Sequence, residues 1–239
     1  MTAPLQHWKV LPHGELSRLE DNLVTVTGAI HMPLVDLPRR MTVVRLYDGR
    51  LVVYSAMALQ EHEMEWLEAW GRPAFLIVPG DHHRLDAKIW KDRYPAMQVV
   101  APEGARNKVE ETVPVDTVAP EFGDLDVQFM AVPGTQGHEA ALLVNTHRGT
   151  TLVLNDVIGN IRDASGFGGW LLRLAGFAGE AAKIPSVVKM MVVDDTLALR
   201  NQLLAWADMI TLRRILVSHG AIIDDRPRQV LAELAASLE

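Results

Sequence analysis

The spacing of apolar and polar residues divides the chain into blocks of different period. LVTVTGAIHM, MTVVRLYD and RLVVYSA are short and rich in β-branched residues, which predicts strands, and Asp48-Gly49 between the last two is a hairpin signal. In QEHEMEWLEAWG the period changes. Met64, Leu67 and Trp70 recur at helical spacing, with Gly71 placed to end the helix. AFLIVPG then reads as a fully apolar strand, RLDAKIWKDRYP as a helix ended by Pro95, and MQVVAP as another strand. Strand, helix, strand, helix, strand is the order of βαβ units.

A second β-rich block follows in LDVQFMAVPG, EAALLVNTHRG and TTLVLNDV, then a helical region, the strand RRILVSHG and a last helix in RPRQVLAELAASLE. Hairpin-rich strands followed by helices, twice over, predict an α/β fold. The expected form is a four-layer αββα sandwich, with two mixed sheets face to face and helices outside. No short repeat, low-complexity tract or flexible linker interrupts the pattern, so the expectation is one domain over 1–239. Trp66, Trp70 and Trp90 fall on the predicted amphipathic helices and are expected in the core.

Composition narrows the function. The formal net charge of −7 argues against a nucleic acid as partner, whose phosphates demand neutralisation. With no cysteine, disulfides, thiolate metal sites and cysteine nucleophiles are excluded. The first residues, MTAPLQHWKVLPHGELSRLE, lack the basic region and apolar core of a secretory signal. No apolar run approaches the ~20 residues of a membrane span. A cytoplasmic protein acting on a small-molecule substrate or ligand is the expectation.

Three strand ends carry the candidate chemistry. FLIVPGDHH leaves an apolar strand and presents His82 and His83, TTLVLNDV presents Asp156, and RRILVSHG presents His219 before Gly220. Loops held by sheet ends can converge on one point, and imidazole with carboxylate is a ligand set for zinc, iron or manganese. A carboxylate at the end of so apolar a strand also needs a metal or hydrogen bonds to offset its burial. Adjacent side chains in extended chain diverge, so His82 and His83 aim at one point only if the backbone turns between them.

These pieces, spread over nearly the whole chain, resemble the metallo-β-lactamase fold superfamily. VPGDHH stands where that family carries a His-x-His-x-Asp-His loop, VPGTQGH where it carries Pro-Gly-His, LVLND where a strand ends in a metal-bridging Asp, and LVSHG where a late strand ends in His-Gly. The resemblance implies the αββα fold and a metal site, and it places His83, Asp156 and His219 on ligand positions. It also puts Val78, Gly80 and Thr135 on the positions of the three histidines that hold the first metal, and His82 on that of a ligand Asp. Tyr54-Ser55 takes the place of a supporting Asp. The implied site is therefore reduced and mononuclear, with His82 or His138 completing the shell. Asp156 serves as ligand or, if the ion lies nearer the histidines, as general base.

Two functions from different classes follow. One is a metal-dependent hydrolase of an ester, thioester, lactone or phosphodiester. The other is a non-catalytic scaffold, without metal, whose His83, Asp156 and His219 bond only to one another. Iron-based redox chemistry normally uses two irons in this fold, so the missing first site counts against it. Asp81 and Asp86 flank the histidine pair, either as acceptors orienting an imidazole or as polar loop and helix-start residues. His7, His13, His31, His62 and His147 lack any motif context. The apolar stretch Gly166–Gly179, with Trp170, Leu171, Leu174 and Phe177 at helix-like spacing, reads as a lid over the site, a homodimer contact or a core helix.

Overall fold

The structure is a computed structural model and describes residues 3–32, 35–162, 169–170, 172–173, 176 and 178–238. The first sheet has the order β1-β2-β3-β4-β5-β6, from Ser17–Glu20, Leu23–Met32, Val35–Arg45, Arg50–Tyr54, Arg72–Ile77 and Gln98–Val100. Its first four strands run antiparallel as hairpins, and β5 and β6 add in parallel after the helices α1 (Glu61–Trp70) and α2 (Ala87–Arg93). The second sheet has the order β10-β9-β8-β7, from Leu212–Gly220, Gly149–Asn160, Ala140–Thr146 and Val127–Ala131, with β9 and β10 parallel. Both sheets are mixed, as the two alternating blocks predict.

Side-chain alternation builds the four layers. On β4, Val52 and Tyr54 face a core shared with Leu142, Val144, Val153 and Leu216 of the second sheet. Leu51 and Val53 point the other way, onto Met64 and Leu67 of α1 and Ile89 and Trp90 of α2. The second sheet repeats the rule. Val153 and Leu216 point inward, while Leu152, Leu154, Ile215 and Val217 meet α3 (Thr196–Asp208) and α4 (Pro227–Ala236) through Leu199, Leu203, Trp206 and Leu231. The period-two pattern of each strand thus separates one inner apolar layer from two outer ones.

Local chemistry fixes several boundaries. The Asp48 side chain accepts from the Arg50 N–H at 3.0 Å, and Gly49 takes φ +82° to turn the hairpin. Gly71 ends α1 in an extended conformation, so its requirement is space: a Cβ there would lie 2.6 Å from the Gly49 carbonyl oxygen. Asp195 caps α3 by accepting from the Ala198 N–H at 2.9 Å. Trp90 is fully buried as expected, but Trp66 is 41% exposed and stacks on the half-buried Trp70 with ring centroids 5.5 Å apart. The sheet face above α1 is already filled by Met64 and Leu67.

The strand that departs most from the sequence reading is β3, which begins at Val35 rather than at Met41. Pro38, Arg39 and Arg40 pair only with β2, because β4 joins β3 from Thr42 onward. Pro38 is tolerated on this one-sided stretch, where the missing N–H costs no ladder bond. Of the Gly166–Gly179 stretch, Leu171, Leu174 and Phe177 lie outside the described residues, Leu172 packs with Ile161 and Ala178, and Trp170 is half exposed. No helix among the described residues is long and apolar enough to cross a membrane.

Candidate metal centre

The three strand ends converge. His83 Nε2 lies 3.2 Å and His219 Nε2 3.0 Å from the same Asp156 oxygen, Oδ1, and the two imidazole centroids are 5.2 Å apart. Among the described residues this is the one group of three whose ligand atoms all fall within 4.8 Å of one another. Each residue is brought there by a distinct backbone device. His83 follows the turn at the end of β5. Asp156 sits where the register between β9 and β10 slips, between Val217 and His219, a bulge of the kind that re-aims a side chain. His219 is held by Gly220, whose φ of +111° and approach to the Asn160 carbonyl leave no room for a Cβ.

Both imidazoles are oriented from behind. The His219 Nδ1–H donates to the Pro38 carbonyl at 2.6 Å, so the Nδ1 proton is fixed and Nε2 is the atom turned to Asp156. His83 Nδ1 is 2.8 Å from Ser55 Oγ. Ser55 reaches that position with φ +55°, a left-handed conformation uncommon for a side-chain-bearing residue, at the end of β4. Arg40 adds a clamp on His219 from β3. Its Nε donates to the Val217 carbonyl at 3.1 Å, its Nη2 to the Gly220 carbonyl at 2.9 Å and its Nη1 to Thr25 Oγ1 at 3.3 Å. Burial pushes the Arg40 guanidinium down to about 10.

The charges of the group are strongly interdependent. Burial opposes the Asp156 carboxylate, but His83 and His219 outweigh it and hold its pKa well below the usual range. Burial also opposes the His219 cation, yet the bond to Asp156, its charge and the Pro38 carbonyl leave that pKa raised. For His83, burial prevails over Asp156 and lowers the pKa. A neutral His219 carrying its proton on Nδ1 turns a lone pair toward a carboxylate oxygen. That contact is repulsive unless a proton or a metal cation stands between them. The Nε2 lone pair of His219 is set by its bond at Nδ1, His83 Nε2 offers a second when its Nδ1–H donates to Ser55, and with one carboxylate oxygen these fit a divalent ion with imidazole and oxygen preferences.

The positions that would hold a first metal are filled differently. Val78 belongs to the outer core, and Thr135 is buried with its hydroxyl donating to the Val132 carbonyl at 2.7 Å. At Gly80 a Cβ would lie 2.8 Å from Asn155 Nδ2 and 2.9 Å from Glu139 Oε1. Glu139 is buried there, accepting from Asn155 Nδ2 at 3.1 Å and from the Asp156 N–H at 2.9 Å. Burial, then the charge of Asp156, pushes its pKa well up.

The remaining candidates stand around this centre. His82 is exposed and lines two cavities, of about 220 and about 260 Å³, which also share Asp156. His138 lines the larger one and is 3.0 Å from Asp81 through Nδ1. Neither histidine is in the three-residue group. Asp81 therefore does orient an imidazole, that of His138. Asp86 stands at the start of α2 as one of the two readings expects, but its side chain does not cap the helix: it forms a buried ion pair with Arg39 and accepts from the Ala58 N–H at 2.9 Å. Sequence reasoning missed Glu139, Asn155, Arg39 and Arg40. The signal for the arginines was present, since two adjacent cations preceding MTVV are unusual beside an apolar strand.

Comparison with solved structures bears on the fold. The fold is similar to that of the DIM-1 metallo-β-lactamase, with a TM-score of 0.64 and 13% identity over 97% of this chain and 100% of that one. It is similar to the FIM-1 metallo-β-lactamase of Pseudomonas aeruginosa in its mono-zinc form, with a TM-score of 0.62 and 13% identity over 96% and 97% of the two chains. A metallo-β-lactamase of Hirschia baltica gives 0.60 and 12% identity over 94% and 98%. No protein-family model and no curated protein matches the sequence.

Proposed function

We propose that this chain, which has the metallo-β-lactamase fold, is a hydrolase of small molecules that works with a single divalent metal ion, zinc in the first instance. The observation that carries the reading is the convergence of His83 Nε2, His219 Nε2 and Asp156 Oδ1 within 4.8 Å, with the imidazoles backed by Ser55 and Pro38 at Nδ1. His83, His219 and Asp156 would hold the ion, with His82 or His138 as a fourth ligand after movement of its loop. A divalent ion held there supplies Lewis acidity and a water whose pKa falls to about 7.

The chain's own residues do the rest. Both imidazole contacts of Asp156 fall on Oδ1, which leaves Oδ2 as the atom to take a proton from attacking water. Asp156 and His82 line both cavities, so a scissile bond set beside them sends one substituent into each. Esters, thioesters, lactones and phosphodiesters suit this layout. A mononuclear site is favoured because Glu139 and Asn155 occupy the space that a histidine at position 80 would need.

The same packing also favours a second reading, a ligand-binding scaffold that has given up the dinuclear centre. Hydrolysis assays of zinc-loaded and chelator-stripped protein against one ester, thioester, lactone and phosphodiester each distinguish the two. Turnover present with zinc and lost in Asp156→Asn supports the hydrolase. Its absence for all four classes, with zinc bound, supports the scaffold.

A further inference from the structure

The cavity of about 260 Å³ has two unlike walls. One carries Asp156 with Asp81, His82, His138 and Glu139. The other is aliphatic and comes from one place: Val187, Val188, Met191 and Val192, on and just after the short helix Ser186–Met191. Positions i, i+1, i+4 and i+5 share one side of a helix, so the stripe turned to the cavity carries no hydrogen-bonding side chain. It is held at both ends. Before it, Lys183 and Gly159 of β9, just beyond Asp156, exchange backbone bonds of 3.0 and 2.9 Å. After it, the Asp194 N–H donates to the Gly134 carbonyl at 3.1 Å and the Asp194 side chain accepts from the Gln136 N–H at 3.0 Å, in the loop that carries His138. The aliphatic wall is thus fixed to both the Asp156 strand and the His138 loop.

We propose that this cavity binds an unbranched, uncharged aliphatic chain, so that the natural substrate is a medium-chain acyl ester or thioester. The ester or thioester rests on the hydrolase reading; the chain site stands on the cavity alone. The polar wall asks for no polar occupant, because Asp81 is engaged with His138, Glu139 with Asn155 and the Asp156 N–H, and Asp156 Oδ1 with both His83 and His219. Its three carboxyl groups disfavour an anion. No phenylalanine, tyrosine or tryptophan among the described lining residues offers a ring to stack a planar group. Length follows from volume. A cavity of about 150 Å³ takes one benzene, so one of about 260 Å³ takes roughly eight to ten carbons. Longer chains emerge past Met191, which is 69% exposed, into water. A thioether with free rotamers at that mouth adapts to a flexible chain.

The test has a binding arm and a turnover arm. Metal-free protein is titrated with butan-1-ol, octan-1-ol, decan-1-ol and dodecan-1-ol, and binding is read by NMR from the amide shifts of Val187 and Val192. Affinity is expected to rise about two- to fourfold per added CH₂ up to octan-1-ol, fourfold being the limit of full burial, and by less than about 1.5-fold per CH₂ beyond decan-1-ol. Val187→Thr/Met191→Gln keeps the bulk of the wall and makes it polar, so octan-1-ol should bind at least about tenfold more weakly. Val187→Phe instead fills the cavity, and the break in the series should move to a shorter alcohol. If one variant fails to fold, the other decides.

In the turnover arm, zinc-loaded wild type is compared on the 4-nitrophenyl esters of butanoic, octanoic and dodecanoic acids, each below its micelle concentration. The expected kcat/KM for the octanoate is at least about thirtyfold above that for the butanoate, with no comparable gain from octanoate to dodecanoate, and the first ratio falls in the variants. An affinity that fails to rise with length, or rises evenly to dodecan-1-ol, overturns the chain site. So do shifts confined to Leu37 and Leu85 of the other cavity, or an alcohol series unchanged in both variants. Octan-1-ol bound beside Val187 with no ester hydrolysed overturns the hydrolase reading and leaves the chain site standing. Hydrolysis indifferent to acyl length overturns the medium-chain acyl substrate.

Discussion

Gly80→Ala is the perturbation that probes most directly the packing on which the proposal of one metal site rather than two rests. The backbone at Gly80 is not in the left-handed region, so alanine meets no conformational penalty, and reduced freedom of the unfolded chain would favour it by ~0.4–1 kcal/mol. The opposing effect is steric. The new methyl group would lie 2.8 Å from Asn155 Nδ2, 2.9 Å from Glu139 Oε1 and 3.1 Å from the His138 carbonyl oxygen. All three must withdraw by several tenths of an ångström.

Asn155 and Glu139 are buried and bonded to each other, and Glu139 also receives the Asp156 N–H. Breaking the amide–carboxylate bond leaves a buried donor and acceptor unmatched, at about 1–3 kcal/mol each. After the backbone gain, a net loss of about 1–5 kcal/mol is expected. Equilibrium urea unfolding of the metal-free protein measures it, with metal affinity determined in parallel because Glu139 holds the peptide N–H of Asp156. A variant as stable as wild type, with unchanged affinity, would show that the space beside Gly80 is open and would refute the argument for a filled first site.

Three further outcomes follow from the site. Ser55→Ala removes the partner of His83 Nδ1 and is expected to weaken metal binding about tenfold, measured by chelator competition, while also relaxing the left-handed turn poorly. Arg40→Met frees the carbonyls on either side of His219, so the Nδ1–H tautomer signal of His219 in the metal-free protein should broaden or shift in 15N NMR; an unaltered signal would remove Arg40 from the positioning of His219. The sign of the pH dependence should differ between the two forms of the protein. In the metal-free form the raised His219 pKa contributes stability fully present below about 6.5 and lost as pH rises through the folded value, while the lowered His83 pKa costs stability below about 6.5. Metal-free stability should therefore peak near neutrality and fall on the alkaline side, a fall absent in His219→Asn. Metal-loaded protein should gain stability over the same alkaline range, because ligation requires neutral imidazoles.

The legibility of this molecule in its sequence follows from the range of the interactions involved. Layering was readable because it depends on alternation within each strand: Leu51 and Val53 against Val52 and Tyr54 is a local pattern. His83, Asp156 and His219 were readable as strand-end residues, and their sheet ends do meet. What reads poorly is whatever one strand does for another. Pro38-Arg39-Arg40 looks like a loop, yet it extends β3 past its partner β4 and supplies the carbonyl and guanidinium that hold His219 on the facing sheet. Glu139 resembles the polar end of a turn until Asn155, almost opposite it, places the amide that binds it. His82 and His83 differ in environment because adjacent side chains diverge, and only the position of Asp156 distinguishes which one faces inward.

Metal content per chain, measured by mass spectrometry on protein purified without chelator or polyhistidine tag, tests the central claim most directly. The account predicts about one zinc, iron or manganese ion per chain in the wild type, lost in both His83→Ala and His219→Ala. Two ions per chain, or none after reconstitution with excess zinc, would contradict it.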